Sequence, residues 1–176
     1  MGGLRSWARQ AWTRFALRRC ASVGKAPWVR GRVWIHGAGR VQLGDRVRLD
    51  ASLAPIELHV EQGAELILED DVCIEGGSSL EAQQRVHIGA RSRVGAFCKV
   101  LDNHFHPLRG DRHARPRSTP VHVGEDVVLG PRVILLPGTQ LERGVQVLAA
   151  SVISRRIPAG VQVGGQPAKR IQGARR

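Results

Sequence analysis

The sequence has 176 residues, enough for one domain with its own apolar core. Its 27 Lys and Arg residues outnumber 15 Asp and Glu, and the formal net charge of +12 favours anionic partners. The three cysteines lack metal-ligand spacing, which argues against a zinc site or a disulfide framework and suits a reducing cytoplasm. No apolar run approaches the roughly 20 residues that a membrane-spanning helix needs. Abundant glycine and scarce aromatic residues predict short strands and tight turns rather than a helical bundle.

The N-terminal segment, residues 1–24, is predicted to form a basic amphipathic helix. No acidic residue precedes Asp45, whereas nine Lys and Arg residues occupy the first 40 positions. The apolar side chains recur at helical spacings: Leu4, Trp7, Ala8, Ala11, Trp12 and Phe15. Two roles fit this pattern, namely peripheral contact with an anionic membrane surface and packing against one end of the domain that follows. A secretory signal is not expected, because the segment lacks a continuous apolar core.

Residues 25–157 repeat with a period of six. One series of aliphatic positions is Val123, Leu129, Leu135, Leu141, Val147 and Ile153. A second series, with one slip of two residues, is Leu68, Ile74, Leu80, Ile88, Val94 and Val100. A period of six fits neither a helix nor a single strand, and it predicts a short strand and a turn repeated as a solenoid. Three hexads would make one triangular coil with three parallel sheets around an aliphatic core, and the alternative is a β-sandwich with chance spacing.

Residues 101–120 interrupt the repeat once. Their Pro, Gly and Arg content predicts an external loop, a common place for functional side chains on a rigid scaffold. The loop carries His104, His106 and His113, and three interpretations are open. Two of these imidazoles could ligate a metal, all three could be solvated, or one could be a general base for an attacking alcohol or amine.

The loop motif "LDNHFHPL" resembles the D-x-D-F-H-P-L stretch of hexapeptide-repeat acyltransferases, in particular sugar O-acetyltransferases of the maltose, galactoside and colanic-acid type. "TPVHVGEDVVLGPRVILLPGTQL" and "ASVISRRIPAGVQVGGQPAKRI" also resemble that family, and the likeness covers roughly residues 30–172. The resemblance implies an all-β, left-handed parallel β-helix, a homotrimer and acetyl-CoA as the acyl donor. It also implies that His106 is the general base and that Asp102 orients it. Crossover chirality alone would have favoured the right-handed form.

The resemblance further implies a coenzyme A groove along the last coils, with residues 158–176 forming the last coil and a basic tail. Small residues would let the pantetheine arm approach the backbone: Gly130, Ala149, Ala150, Gly164 and Gly165. Basic residues would meet the phosphates: Arg155, Lys169 and Arg170.

Several positions depart from the family pattern. Val128 stands where an aromatic residue is common, and Pro131 lacks the backbone N–H that relatives use near the thioester oxygen. Glu75 replaces an Asn that often binds the acceptor, and His104 replaces a second acid. We expect Glu75 and His104 to contact the acceptor, whose identity these departures leave open.

The expected function is an acyl-CoA-dependent O-acetyltransferase for a sugar or glycan precursor, cytoplasmic or peripheral at the inner membrane surface. Two alternatives stay open: a metal-dependent hydratase of the carbonic-anhydrase type, and a non-catalytic scaffold that binds anionic surfaces. The main hypothesis includes no resident metal. Nucleic acid is not an expected partner, because the basic residues lack interleaved aromatics outside the N-terminus.

Overall fold

The computed structural model describes residues 3–104 and 116–171, with side chains from residue 10 onward. Its helix, α1, spans Gly3–Ala16. The strands in chain order are β1 Ser22–Val23, β2 Trp28–His36, β3 Arg40–Leu43, β4 Arg48–Val60, β5 Glu65–Leu68, β6 Cys73–Glu75, β7 Ser79–Ala82, β8 Arg85–Ile88, β9 Arg93–Val94, β10 Lys99–Leu101, β11 Val121–Val123, β12 Val128–Leu129, β13 Ile134–Leu135, β14 Gln140–Leu141, β15 Gln146–Val147, β16 Val152–Ile153, β17 Arg156–Ile157, β18 Gln162–Gly165 and β19 Ala168–Arg170. Most strands are short because a turn follows every few residues.

The strands wind into a solenoid of about seven turns with three faces. The first face is a parallel sheet in the order β1-β3-β5-β8-β11-β14-β17. The second and third faces form one sheet because β4 bends across the corner between them. Its beginning pairs with β6 on the second face, and its end pairs with β7 on the third. The second face continues through β9, β12, β15 and β18, and the third through β10, β13 and β16. The predicted all-β solenoid is confirmed.

Aliphatic side chains fill the centre of the solenoid. Both predicted series are buried, and no member is more than 3% exposed. Equivalent residues stack across coils, since Val100 pairs with Leu80 on one side and Leu135 on the other. Where the repeat brings a hydroxyl inward, a carbonyl satisfies it: Thr139 donates to Leu136 O and Ser151 donates to Leu148 O, both at 2.7 Å. The period of six therefore identified the core.

Helix α1 packs on the first coil and ends at Ala16, short of the predicted residue 24. The chain turns after the helix, with Cys20 N–H donating to Leu17 O, and then enters β1. Thr13 and Leu17 are buried, and Trp12 Nε1 donates to Gly31 O at 3.1 Å. The helix thus covers part of the N-terminal end of the core. Within residues 3–104 and 116–171, no helix has the length and apolar character needed to cross a bilayer.

A hairpin ends the described chain. Strand β18 runs parallel to β15, and β19 folds back antiparallel on β18, where Gly164 pairs with Lys169. The hairpin therefore covers one edge of the last coil, which would otherwise expose unpaired backbone groups.

Candidate functional site

Asp102 lies at the start of the segment, residues 101–120, that interrupts the repeat. Its side chain is fully buried, and its carboxylate accepts hydrogen bonds from the backbone N–H groups of Gln83, Gln84 and Arg85 at 2.8, 2.7 and 2.8 Å. These amides belong to the turn of the preceding coil, which brings three donors to one point. A buried carboxylate is stabilised when it accepts several such bonds. In the described structure, Asp102 therefore joins the loop to the coil below it.

The two ends of the loop meet at the corner between the third and first faces. Thr119 N–H donates to Asp102 O at 2.8 Å, and Gly138 N–H of the next coil donates to Thr119 O at 3.0 Å. The loop thus leaves and re-enters the solenoid at one place, and the strands on either side keep their register. His104 is exposed near the entrance. The predicted base His106, like His113, lies outside the described residues.

Glu75 lies in a charged cleft of about 380 Å³ on the second face. Its carboxylate is about one-third exposed and accepts a hydrogen bond from Arg93 at 3.3 Å. The cleft is lined by Arg48, Asp50, Ser52, Leu53, Asp71, Cys73, Glu75, Arg91 and Arg93. Sequence reasoning found Glu75 but missed the arginines beside it. The strand register would have located these arginines, because Arg48, Cys73 and Arg93 are paired positions on successive coils.

The predicted small residues form a column at the corner between the second and third faces. A Cβ added to Gly130 would lie 2.7 Å from the backbone nitrogen of Ala149, which shows how closely the coils approach there. Ala149, Ala150 and Gly165 are exposed along this column. Gly165 has a φ of +102°, a conformation that favours glycine, and its N–H donates to Ser151 Oγ at 3.1 Å. The corner therefore exposes backbone at these small residues, next to the exposed side chain of Leu148.

Arg155 and Lys169 line a cavity of about 150 Å³ beside this column. The cavity lies between β16 and the residues before and within β19, and Arg155 donates to Ala168 O at 2.9 Å. Arg170 is exposed on β19 but does not line the cavity. The structure therefore brings two of the three predicted phosphate-binding residues together.

A cluster of Glu69, His87 and His122 on the first face was missed by the sequence analysis. The two imidazoles stack with centroids 4.8 Å apart, and their Nδ1 atoms are 2.9 Å apart. His87 Nε2 is 2.8 Å from the Glu69 carboxylate, which also accepts the Ala90 N–H. Burial raises the pKa of Glu69, but these hydrogen bonds outweigh it and the pKa is lowered. Burial, and then the positive charge of His87, lower the pKa of His122.

Neither this cluster nor any other group of three or more His, Cys, Asp and Glu side chains among the described residues has an arrangement that could hold a metal ion. Of the histidines that the metal hypothesis used, only His104 lies within those residues.

Fold and geometry define a parallel β-solenoid that one segment interrupts between Asp102 and Thr119, with a column of small residues on its last coils. No family profile matches the chain. Curated relatives match locally. A 2,3,4,5-tetrahydropyridine-2,6-dicarboxylate N-acetyltransferase of Clostridium perfringens is 40% identical over 57 residues, 32% of this chain and 24% of the relative. The Staphylococcus aureus enzyme of the same name is 36% identical over 59 residues, 34% and 25% of the two chains. The chain thus spans about a quarter of these relatives.

Solved structures match the whole solenoid. A variant of AntD, an N-acyltransferase from Bacillus cereus bound to dTDP-4-amino-4,6-dideoxyglucose and coenzyme A, has a TM-score of 0.77 at 17% identity, covering 95% of this chain and 89% of that one. The hexapeptide-repeat acetyltransferase VCA0836 from Vibrio cholerae has a TM-score of 0.68 at 16% identity, covering 96% and 82%. Its complex with acetyl coenzyme A scores 0.58 at 18% identity, covering 99% and 81%. At such identities the likeness establishes the fold.

Proposed function

We propose that this protein is an acyl-CoA-dependent acyltransferase that acetylates a hydroxyl of a sugar or glycan precursor. The observation that carries the proposal is the column of small residues that leads to Arg155 and Lys169. An extended thiol arm can lie against bare backbone at Gly130 and Ala149, while the two cations meet phosphate groups at its far end. The structures of AntD and VCA0836 with coenzyme A or acetyl coenzyme A support this choice of donor.

The proposed reaction is direct transfer with His106 as general base. The imidazole takes the proton of the acceptor hydroxyl as the oxygen attacks the thioester carbonyl; the C–S bond then breaks, and the sulfur of coenzyme A receives a proton. The three cysteines and Ser151 are unfavourable nucleophiles for a covalent acyl-enzyme. Burial raises the pKa of the Cys20 and Cys98 thiols to about 11, and also raises that of Cys73. Ser151 is fully buried and bonded to a carbonyl.

A second candidate is N-acyl transfer to an amino sugar. It is favoured by one specific observation: the curated relatives and AntD are N-acyltransferases, and one AntD complex holds an amino sugar nucleotide. The same base and donor site would serve, since an amine also loses a proton during attack. Glu75 and the arginines around it offer acceptors and donors to either substrate.

The experiment compares the wild type with His106→Ala and the matched control His113→Ala, which removes a histidine from the same loop. Each is incubated with acetyl-CoA and a panel of sugars and amino sugars, and release of free coenzyme A is followed with a thiol reagent. We expect His106→Ala to lower kcat by about 100-fold or more and His113→Ala to change it little. Mild alkali cleaves an ester product but not an amide, which distinguishes the two candidates. Equal rates for the wild type and His106→Ala would contradict the proposal.

A further inference from the structure

A groove of about 370 Å³ lies between the end of α1 and the outer part of β2. It is lined by Trp12, Phe15, Ala16, Arg18, Arg19, Arg32, Val33, Trp34, Ile35 and His36. Large aromatic side chains and arginines dominate this set, and we name it the aromatic–basic groove. It lies at the N-terminal end of the solenoid, whereas the small-residue column of the proposed donor site belongs to the last coils.

Three aromatic side chains of the groove are exposed. Trp12, Phe15 and Trp34 are 43%, 56% and 41% exposed, and they account for three of the eight exposed large apolar side chains among the described residues. The helix and β2 hold them in place, since Trp12 Nε1 bonds to Gly31 O and the neighbouring Thr13 and Leu17 are buried. A cluster of exposed aromatic side chains marks an interaction surface, because apolar surface left in water is unfavourable and a partner that covers it stabilises the protein.

The groove also lies within the most basic part of the chain. Nine Lys and Arg residues and no acidic residue occur in the first 40 positions. Each ion pair between described residues involves positions 45 and beyond, so the guanidinium groups of Arg18 and Arg32 meet no carboxylate there. Arg18 instead lies 4.0 Å from the centroid of the Phe15 ring. Positive charge and exposed aromatic surface are therefore side by side.

We propose that the aromatic–basic groove docks on an anionic phospholipid surface. Trp12, Phe15 and Trp34 enter the interface between headgroups and acyl chains, where amphipathic rings are stabilised. Arg18 and Arg32 contact lipid phosphates, and each cation near an anionic leaflet adds to the attraction. From the sequence, membrane contact and packing on the solenoid were alternative roles for the N-terminal helix. The two roles are compatible in the structure, because Thr13 and Leu17 are buried against the solenoid whereas Trp12 and Phe15 are exposed.

Charge argues against a second copy of the chain as the occupant. A symmetric contact through this groove would bring two identical basic segments together, and their repulsion would oppose association. An anionic lipid surface instead matches the sign of the charge and offers a continuous interface for all three rings.

The test uses the full chain with two kinds of vesicle, one of phosphatidylcholine alone and one of phosphatidylcholine and phosphatidylglycerol in equal amounts. Cosedimentation measures the bound fraction, and quenching of Trp fluorescence by brominated lipid reports insertion of the rings. We expect binding to the anionic vesicles, weakened by salt. Phe15→Ser with Trp34→Ser should remove most of it, and Arg18→Gln with Arg32→Gln should weaken it about 30-fold.

Matched control variants test whether vesicle binding depends on the groove itself. Leu53→Ser removes an apolar side chain that is 70% exposed and lies outside the groove, in the middle of β4. Arg85→Gln with Arg132→Gln removes the same charge from other parts of the surface. Circular dichroism confirms that every variant is folded. Vesicle binding that these controls reduce as much as the groove variants would overturn the proposal, as would no binding to anionic vesicles. If the vesicles do not bind, two further measurements assign the groove to another occupant. Loss of an oligomer in Phe15→Ser with Trp34→Ser would indicate a second copy of the chain, and binding of labelled DNA that depends on the groove would indicate nucleic acid.

Discussion

At the scale of single residues, Asp102 fixes the point where the repeat is interrupted. A carboxylate that is fully buried would be strongly unfavourable if it were alone. Here the turn at Gln83–Arg85 directs three N–H groups at it, so the charge is stabilised and the turn gains partners for amides that no strand satisfies. Any orienting effect of Asp102 on His106 would act from this fixed point.

We therefore expect Asp102→Asn to destabilise the protein although it changes the shape of the side chain very little. The new amide group would direct N–H donors at backbone N–H donors, and about 3 kcal/mol of the free energy of unfolding should be lost. Urea denaturation measures the change. Asp50→Asn is the matched control, because Asp50 lies on the surface and accepts one longer bond, 3.3 Å from Ser52. Equal midpoints for the two variants would show that the carboxylate does not anchor the loop.

Sequence alone could select Asp102 but could not assign this role. The residue was recognised from a motif, which relates it to the histidine four positions later. Its actual partners are 17 to 19 positions earlier and are backbone amides, which carry no signature in the residue types. Only the stacking of one coil on the next brings that turn beneath the loop. The same limit applies to Glu75, whose neighbouring arginines are adjacent through strand register.

At the scale of elements, outward-facing side chains on the first face interact across three successive strands. Glu69 follows β5, His87 lies on β8 and His122 on β11, and each bonds or stacks with the next. Inward positions were predictable because the same aliphatic type recurs every six residues. Outward positions follow no such rule, since solvent accepts many residue types and only the register decides which side chains meet.

This cluster should make stability fall as the pH falls. The pKa of His122 is lowered from its ordinary value of 6.5, so below that pH the unfolded chain binds a proton more readily than the native one. Glu69 has a lowered pKa too, and its contribution is lost below its ordinary value of 4.5. We expect the Tm of the wild type to decrease on acidification from neutral pH, and His122→Gln to reduce that decrease between neutral pH and about pH 5. The control His59→Gln, on the third face, should leave the decrease unchanged; parallel curves for the wild type and His122→Gln would contradict the assignment.

At the scale of the whole molecule, the predicted site residues lie at separate corners of the solenoid. Glu75 ends β6 at the corner between the second and third faces, and Asp102 follows β10 at the corner between the third and first. The third face, represented there by Ser79–Ala82, separates them. The period of six predicted the coils, and the motif predicted the loop. Neither predicted that Glu75 and Asp102 lie at different corners, because this depends on the number of residues in each face. We propose that Glu75 of one chain and His106 of its neighbour complete each site in a homotrimer.

Mixing two inactive variants tests this division. Chains with Glu75→Ala and chains with His106→Ala are coexpressed with different tags, and mixed oligomers are isolated by successive affinity steps. In a site shared between neighbours, every trimer that contains both variants has one interface in three with an intact Glu75 and an intact His106, so the isolated mixed trimers should show about one third of the wild-type activity. Each variant alone should be inactive, and a mixture of His106→Ala with His106→Asn should stay inactive because no chain supplies the base. If both residues act within one chain, no combination of the two variants contains a complete site, and the absence of any recovery in verified mixed oligomers would exclude the shared arrangement.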